Sequence, residues 1–359
     1  MFDPAAIPPL AGGLPAKLAQ TLGDLFLRPG SSISLASLAC AFAIAVGYVA
    51  LKRKRRGRST RPRLILRALL PRRFVTSASG RVDIGFFLFN TFAAGVLFGW
   101  AILSTHAVSV FAHESLAHLF GAMNPAPVPA WAESAAMTVA LFLAYELGYW
   151  VDHYLKHKIP ALWEFHRVHH TAEHLSPLTN FRVHPVDSIL FLNSLALFIG
   201  ATHGAMTWML GAPTQAVLLS GTNVLTLAFL FLLVHLQHSH IWIATRGVLG
   251  RLIQSPAHHQ LHHSTNPAHF NANFGGSLAL FDWLFGTLLI PAAEPQRLTF
   301  GVDAQGERPH SMEGVVLTPF VRLWAMARPR LGTLSPLAGR GQGEESIRVT
   351  DSLGEASGG

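Results

Sequence analysis

The chain alternates long uncharged stretches with short polar, histidine-rich ones, and the uncharged stretches set the architecture. Ser31 to Leu51 carries no charged residue over about 20 positions, enough helix to cross ~30 Å of hydrocarbon. Ile84 to Ser104 is equally uncharged, and Ser134 to Val151 contains one acidic group, Glu146. Two further apolar stretches, Ile189 to Ala205 and Thr214 to Val234, flank the Gly211-Ala-Pro213 turn. A turn that short predicts a hairpin that enters the bilayer and returns on the same side. The expected fold is all-α, a multi-span helical membrane protein.

Composition supports the same class. Of the 359 residues, 50% are hydrophobic and 13% charged, and the mean hydropathy is +0.35, more apolar side chain than a soluble chain readily buries. The first span is followed by Lys52-Arg-Lys-Arg-Arg-Gly-Arg58, a cation block that the positive-inside rule places in the cytoplasm. Residues 1–30 lack the basic start and small-residue cleavage site of a signal peptide, so the first span is expected to stay as an anchor, with the N-terminus outside. Counting crossings then puts 52–83 inside, 105–131 outside, and 152–188 and everything after the hairpin inside. His106, His113 and His118 fall in the outer connection and read as structural.

The net charge of +8 comes largely from residues 52–73 beside a span, which suits anionic head groups; no nucleic-acid partner is expected. The single cysteine, Cys40, excludes a disulfide framework, a Cys-x-x-Cys redox motif and an iron–sulfur cluster held by this chain alone.

The chemistry is carried by histidines. One pattern occurs twice, as His166-Arg-Val-His169-His170 and His259-Gln-Leu-His262-His263, and His153-x-x-x-His157 precedes the first copy. Spacings of three and four residues place side chains on one helical face, so each box can aim its imidazoles at a common point. Lys158-Ile-Pro160 breaks the helix between the first two clusters and lets two helices fold towards each other. Glu146 and Tyr149 share a face with His153, which suggests a carboxylate fixing an imidazole tautomer and a phenol beside it. Trp150 and Trp163 read as membrane-belt residues. His238 is the candidate from His235-Leu-Gln-His238, with His235 and His184 as further candidate ligands. His174 reads as solvated, Glu173 as a partner for Arg182 or a support for a ligand, and His258 as off the box's face. Eight or nine imidazoles exceed the needs of one ion, so two metals are the natural count; imidazole suits iron, zinc, copper and nickel alike.

These boxes, with His184-Pro185, Gln237-His238-Ser, Asn273-Phe-Gly275 and Asp282-Trp-Leu-Phe-Gly-Thr287, resemble the fatty acid hydroxylase and sterol desaturase superfamily over roughly Val139 to Pro291. The resemblance implies a helical membrane domain with a cytoplasmic histidine-rich cap, two irons held by histidine, and O2-dependent attack on a C–H bond of a membrane lipid. The iron ligands it implies are His153, His157, His166, His169, His170, His238, His259, His262 and His263. Zinc could replace iron in overproduced protein. Many relatives have Asp at Glu146 and Arg at Tyr154; neither departure removes a ligand, and the substrate stays open among fatty acyl chains, sterols, ether lipids and carotenoids. The implied division is an N-terminal segment at 1–30, an anchor region at 31–130, a catalytic domain at 131–292, and an extension at 293–359, disordered from about 328. Hydroxylation and desaturation both fit. Electrons are expected from a separate protein or a diffusible reductant, because the chain shows no haem, flavin or iron–sulfur motif. Two readings of other classes are a histidine-rich metal transporter and a silent lipid-binding protein. A transport path would place ionisable groups inside several spans, where this chain has only Glu146.

Overall fold

The computed structural model describes residues 13–328, apart from 32, 127 and 305. The disordered tail expected from about 328 lies outside the described residues. The protein is mostly helical, and the only strands among the described residues are the two-residue pair Leu218–Leu219 and Thr222–Asn223.

Four helices are long and apolar enough to cross a membrane: Leu35–Arg55 (α1), the Ala94–Phe120 segment, Ala130–Lys158 and Pro185–Leu210. The N-terminus of α1 is capped by Ser34, whose hydroxyl accepts from the Ser37 amide, and its last turn carries Lys52 to Arg55, favourable at the negative end of the helix dipole. It packs through Ala41 and Ala45 on the short helix Pro62–Leu69 (α2) and on Leu236 and Ile241.

The expected span Ile84 to Ser104 does not form as one helix. Ala78–Phe92 (α3) ends first and is tied to the cap: Asp83 pairs with Arg182 at 2.9 Å, and Asn90 donates to the Phe181 and Val183 carbonyls. Hydropathy registers the uncharged run but not this polar face. The apolar segment resumes at Ala94 and continues into Thr105–Phe120 (α4). His106, His113 and His118 therefore lie on a helix within a long apolar segment.

Ala130–Lys158 (α5) is longer than the expected Ser134 to Val151 and delivers His153 and His157 at its end. Pro160 occupies the first turn of Pro160–His170 (α6), where its missing N–H costs nothing, and sets the sharp α5–α6 corner. Pro185–Leu210 (α7) starts in the same way, with His184 as N-cap and Pro185 behind it, and stops at Gly211, whose φ of 68° suits a residue without Cβ. On α7, Gly200 and Gly204 let α4 approach closely; a Cβ at either would meet the Thr105 or Ser109 carbonyl.

The expected return span from Thr214 begins only at Val224, as Val224–Gln237 (α8), and widens into a π turn at Leu230–Val234 before His238. Gly247–Leu252 (α9), Pro256–His262 (α10), Leu280–Phe285 (α11) and Met312–Ala327 (α12) complete a cap over the ends of α5 and α7.

Candidate metal centre

Nine histidines converge. His153, His157, His166, His170 and His262 form one group and His169, His238, His259 and His263 a second, each with its ligand atoms within 4.8 Å of one another. The spacing in each box does this work: α5 supplies two rings, α6 three and α10 with its cap residue three, while His238 enters from the end of α8.

The rings are held by their outer nitrogens. His153 Nδ1 faces the Phe274 carbonyl at 2.8 Å, His262 Nδ1 the Ala272 carbonyl at 2.8 Å, His166 Nδ1 the Asp187 carboxylate at 3.0 Å, and His169 Nδ1 the Arg182 carbonyl at 3.3 Å. Acceptors at Nδ1 keep the proton there and leave Nε2 as a lone pair. In the first group all five Nε2 atoms are buried without a hydrogen-bond partner. In the second, Nε2 of His238 lies 2.9 Å from that of His169 and 2.7 Å from that of His259, which is 3.1 Å from that of His263. Buried polar atoms are rarely left unpaired, and each of the two groups of inward ring nitrogens could hold a metal ion.

Electrostatics agree. Burial holds His262 and His238 down to about 3, and burial with neighbouring imidazoles keeps His169, His170, His259 and His263 well below the usual histidine range. All six are therefore neutral near pH 7, the form that binds metal. A pH effect follows for metal-free protein. The unfolded chain takes up protons as pH falls through the ordinary value of 6.5, while these folded groups resist until much lower pH. Stability is thus retained above 6.5 and lost below it, so the melting temperature of metal-free protein is expected to drop from about pH 7.5 to about pH 5, as calorimetry would show.

The remaining candidates sit elsewhere. His184 faces the Val316 carbonyl with Nε2 at 3.2 Å and accepts from the Val186 amide with Nδ1, so both ring nitrogens are engaged. His235 Nε2 lies 2.9 Å from the Ser37 hydroxyl, and His258 Nδ1 is 2.7 Å from the Ser255 hydroxyl. Glu146 touches no imidazole nitrogen; its Oε2 accepts from the Ser277 and Leu278 amides and ties that loop to α5. Tyr149 packs edge-on to His153, with ring centroids 5.9 Å apart. Glu173 meets His310, not Arg182, and His174 is buried against Phe74 rather than solvated. Trp150 is also buried, donating to Asp282, and so is not a belt residue, whereas the half-buried Trp163 packs on His157.

Asp187 is the carboxylate that supports a ring, and its sequence position 21 residues from His166 gave no helical-face signal. It also pairs with Lys156, which bonds Asp152 at 2.6 Å, so three charges are buried together beside the first group. A cavity of about 510 Å3 reaches both groups, touching His153, His166, His169 and His238, and extends along Tyr149, Phe181, Phe191, Leu192, Leu230 and Val234.

Residues 138–287, which hold all nine rings, match the fatty acid hydroxylase family. Over these residues the chain is similar to the fatty acid hydroxylase superfamily. Among curated relatives, the alkylglycerol monooxygenase of Danio rerio is 26% identical over 161 residues, 45% of this chain and 32% of that one. The ornithine lipid hydroxylase of Rhizobium tropici is 30% identical over 175 residues, 49% of this chain and 48% of its own length. A very-long-chain aldehyde decarbonylase of rice, Oryza sativa subsp. indica, is 27% identical over 219 residues, 56% of this chain and 31% of that one. The chain thus spans 31% to 48% of the length of these relatives. No solved structure matches it.

Proposed function

We propose that this chain is an O2-dependent hydroxylase of a membrane lipid that uses two iron ions, one in each histidine group. The observation that carries the reading is the shared cavity: a largely apolar channel among the spans ends on rings of both groups. Iron held there would activate O2 for attack on an otherwise unreactive C–H bond.

The protein's part is to hold and enclose. The Phe274, Ala272 and Arg182 carbonyls and Asp187 fix ring orientation, so the donor set is formed before metal arrives. Tyr149 and Phe191, 5.3 Å apart and edge to face, wall the cavity beside His153 and limit where a substrate carbon can lie. Position matters because ångström-scale misplacement already changes rates greatly. Relatives named as an alkylglycerol monooxygenase and an ornithine lipid hydroxylase support a lipid as substrate, and the cation block after α1 supports a cytoplasmic site. Electrons would come from a separate protein or a diffusible reductant.

In membranes given ¹⁸O2 and a reducing system, a lipid product about 18 mass units heavier is expected, carrying one oxygen atom from O2. A product about two units lighter would identify desaturation instead, and label arriving from water would remove the oxygenase reading.

A further inference from the structure

The cap carries two exposed apolar patches that the metal site does not use. On the first, α9 and α11 present Val248, Leu249, Trp283, Leu284 and Phe285, with Val248 72% and Leu284 60% exposed, and Arg251 lies over the Trp283 ring at 5.7 Å. On the second, α12 presents Leu317, Val321 and Trp324, spaced by four and three residues along one helical face. Trp324 is 62% exposed, and Arg328 lies over its ring at 5.4 Å.

Neither patch is spare core. The other side of α12 is already committed, with Val315 buried against Val82, Phe86 and Val168, and Arg322 donating to Glu164 and Glu307. Each patch is continuous with an apolar span. Phe285 packs on Trp150 of α5 with centroids 4.5 Å apart, and Phe320 of α12 packs on His184, the cap of α7, at 5.5 Å. The chemistry also repeats: an exposed indole, aliphatic neighbours, and a guanidinium on the ring. Indole is favoured at the membrane–water interface, and an arginine there keeps its stem in apolar surroundings while its charge meets phosphate.

We propose that both patches rest in the head-group layer of the bilayer, against anionic phospholipid, and dock the cap onto the membrane surface. The proposal concerns the surface of the cap and stands whatever reaction the histidine groups perform. The patches take the belt role that the buried Trp150 does not fill.

The test uses full-length protein in nanodiscs containing phosphatidylcholine and phosphatidylglycerol, in a Cys40→Ala background. Nitroxide labels are placed at Trp283→Cys and Trp324→Cys, at Leu284→Cys and Val321→Cys as backups should a tryptophan variant fail to fold, and at the exposed cap residue Gln296→Cys as reference. The collision ratio for O2 over a water-soluble nickel chelate is expected to be several-fold higher at both patches than at residue 296. Replacing Arg251 and Arg328 by Glu is expected to lower the patch ratios in these anionic discs. Ratios at the patches equal to that at 296 would overturn the proposal, as would dipolar broadening between labels of two copies, which would assign the patches to self-association.

Discussion

Replacing His262 by alanine is expected to cost the chain one of the two proposed metal ions and nearly all activity. His262 packs on three of the other four rings of its group, with centroid distances of 4.5 Å to His153 and 4.8 Å to both His157 and His170. Its Nδ1 bond to the Ala272 carbonyl aims the other nitrogen inward. Losing a partner outside the ligand sphere typically costs ~10–100-fold in metal affinity or activity, so losing a ligand should cost at least ~100-fold. Metal per chain by mass spectrometry, with product formation measured in parallel, checks this. His184→Ala serves as the contrast. Its ring nitrogens face Val316 and Val186, so that variant should keep its full metal content. Equal metal in His262→Ala and the parent would end the assignment of His262 as a ligand.

The second large effect is expected at Arg182. Its side chain is fully buried and donates to Asp83, to the Val168, Ser79 and Pro309 carbonyls, and to the Thr171 hydroxyl. It thereby ties α3 and the segment before α12 to the end of α6. Arg182→Met leaves Asp83 buried without its cation, a change that typically costs ~3–5 kcal/mol. A fall in melting temperature in detergent is the readout. Converting Asp83 to leucine in the same chain should recover part of the loss, because no lone charge then remains. If Arg182→Met melts with the parent, the pair does not hold α3 in place. Because the Arg182 carbonyl also faces His169, the variant should hold metal less tightly in the second group.

What the sequence made legible follows the range of each signal. The histidine boxes could be read because spacings of three and four residues define a helical face without any tertiary knowledge, and the groups they form include rings from three helices. Asp187 could not be read, since its approach to His166 depends on how α7 starts beside α6. Glu146 was legible as a lone acid in an apolar run, but its actual partners, the amides of Ser277 and Leu278, lie more than a hundred residues away. The interrupted span at Phe92 was hidden for the same reason: an uncharged window looks alike whether its polar neighbours face water or, like Asp83 and Asn90, hold another part of the chain. Trp150 shows the limit of residue-type rules, for a tryptophan near the end of a span can be filed inward under Phe285 as readily as outward.

The π turn at Leu230–Val234 makes residue count, as well as residue identity, a determinant of the second group. An ordinary helix advances about 100° per residue, and the wide turn takes up one extra residue, so His235, Gln237 and His238 lag by about one such step behind their places on a regular helix. His235 consequently points to Ser37 of α1 and His238 to His169 and His259. The phase of the backbone in this span therefore decides which of two nearby histidines joins the others. A chain one residue shorter here could keep every histidine and still direct the wrong one inward.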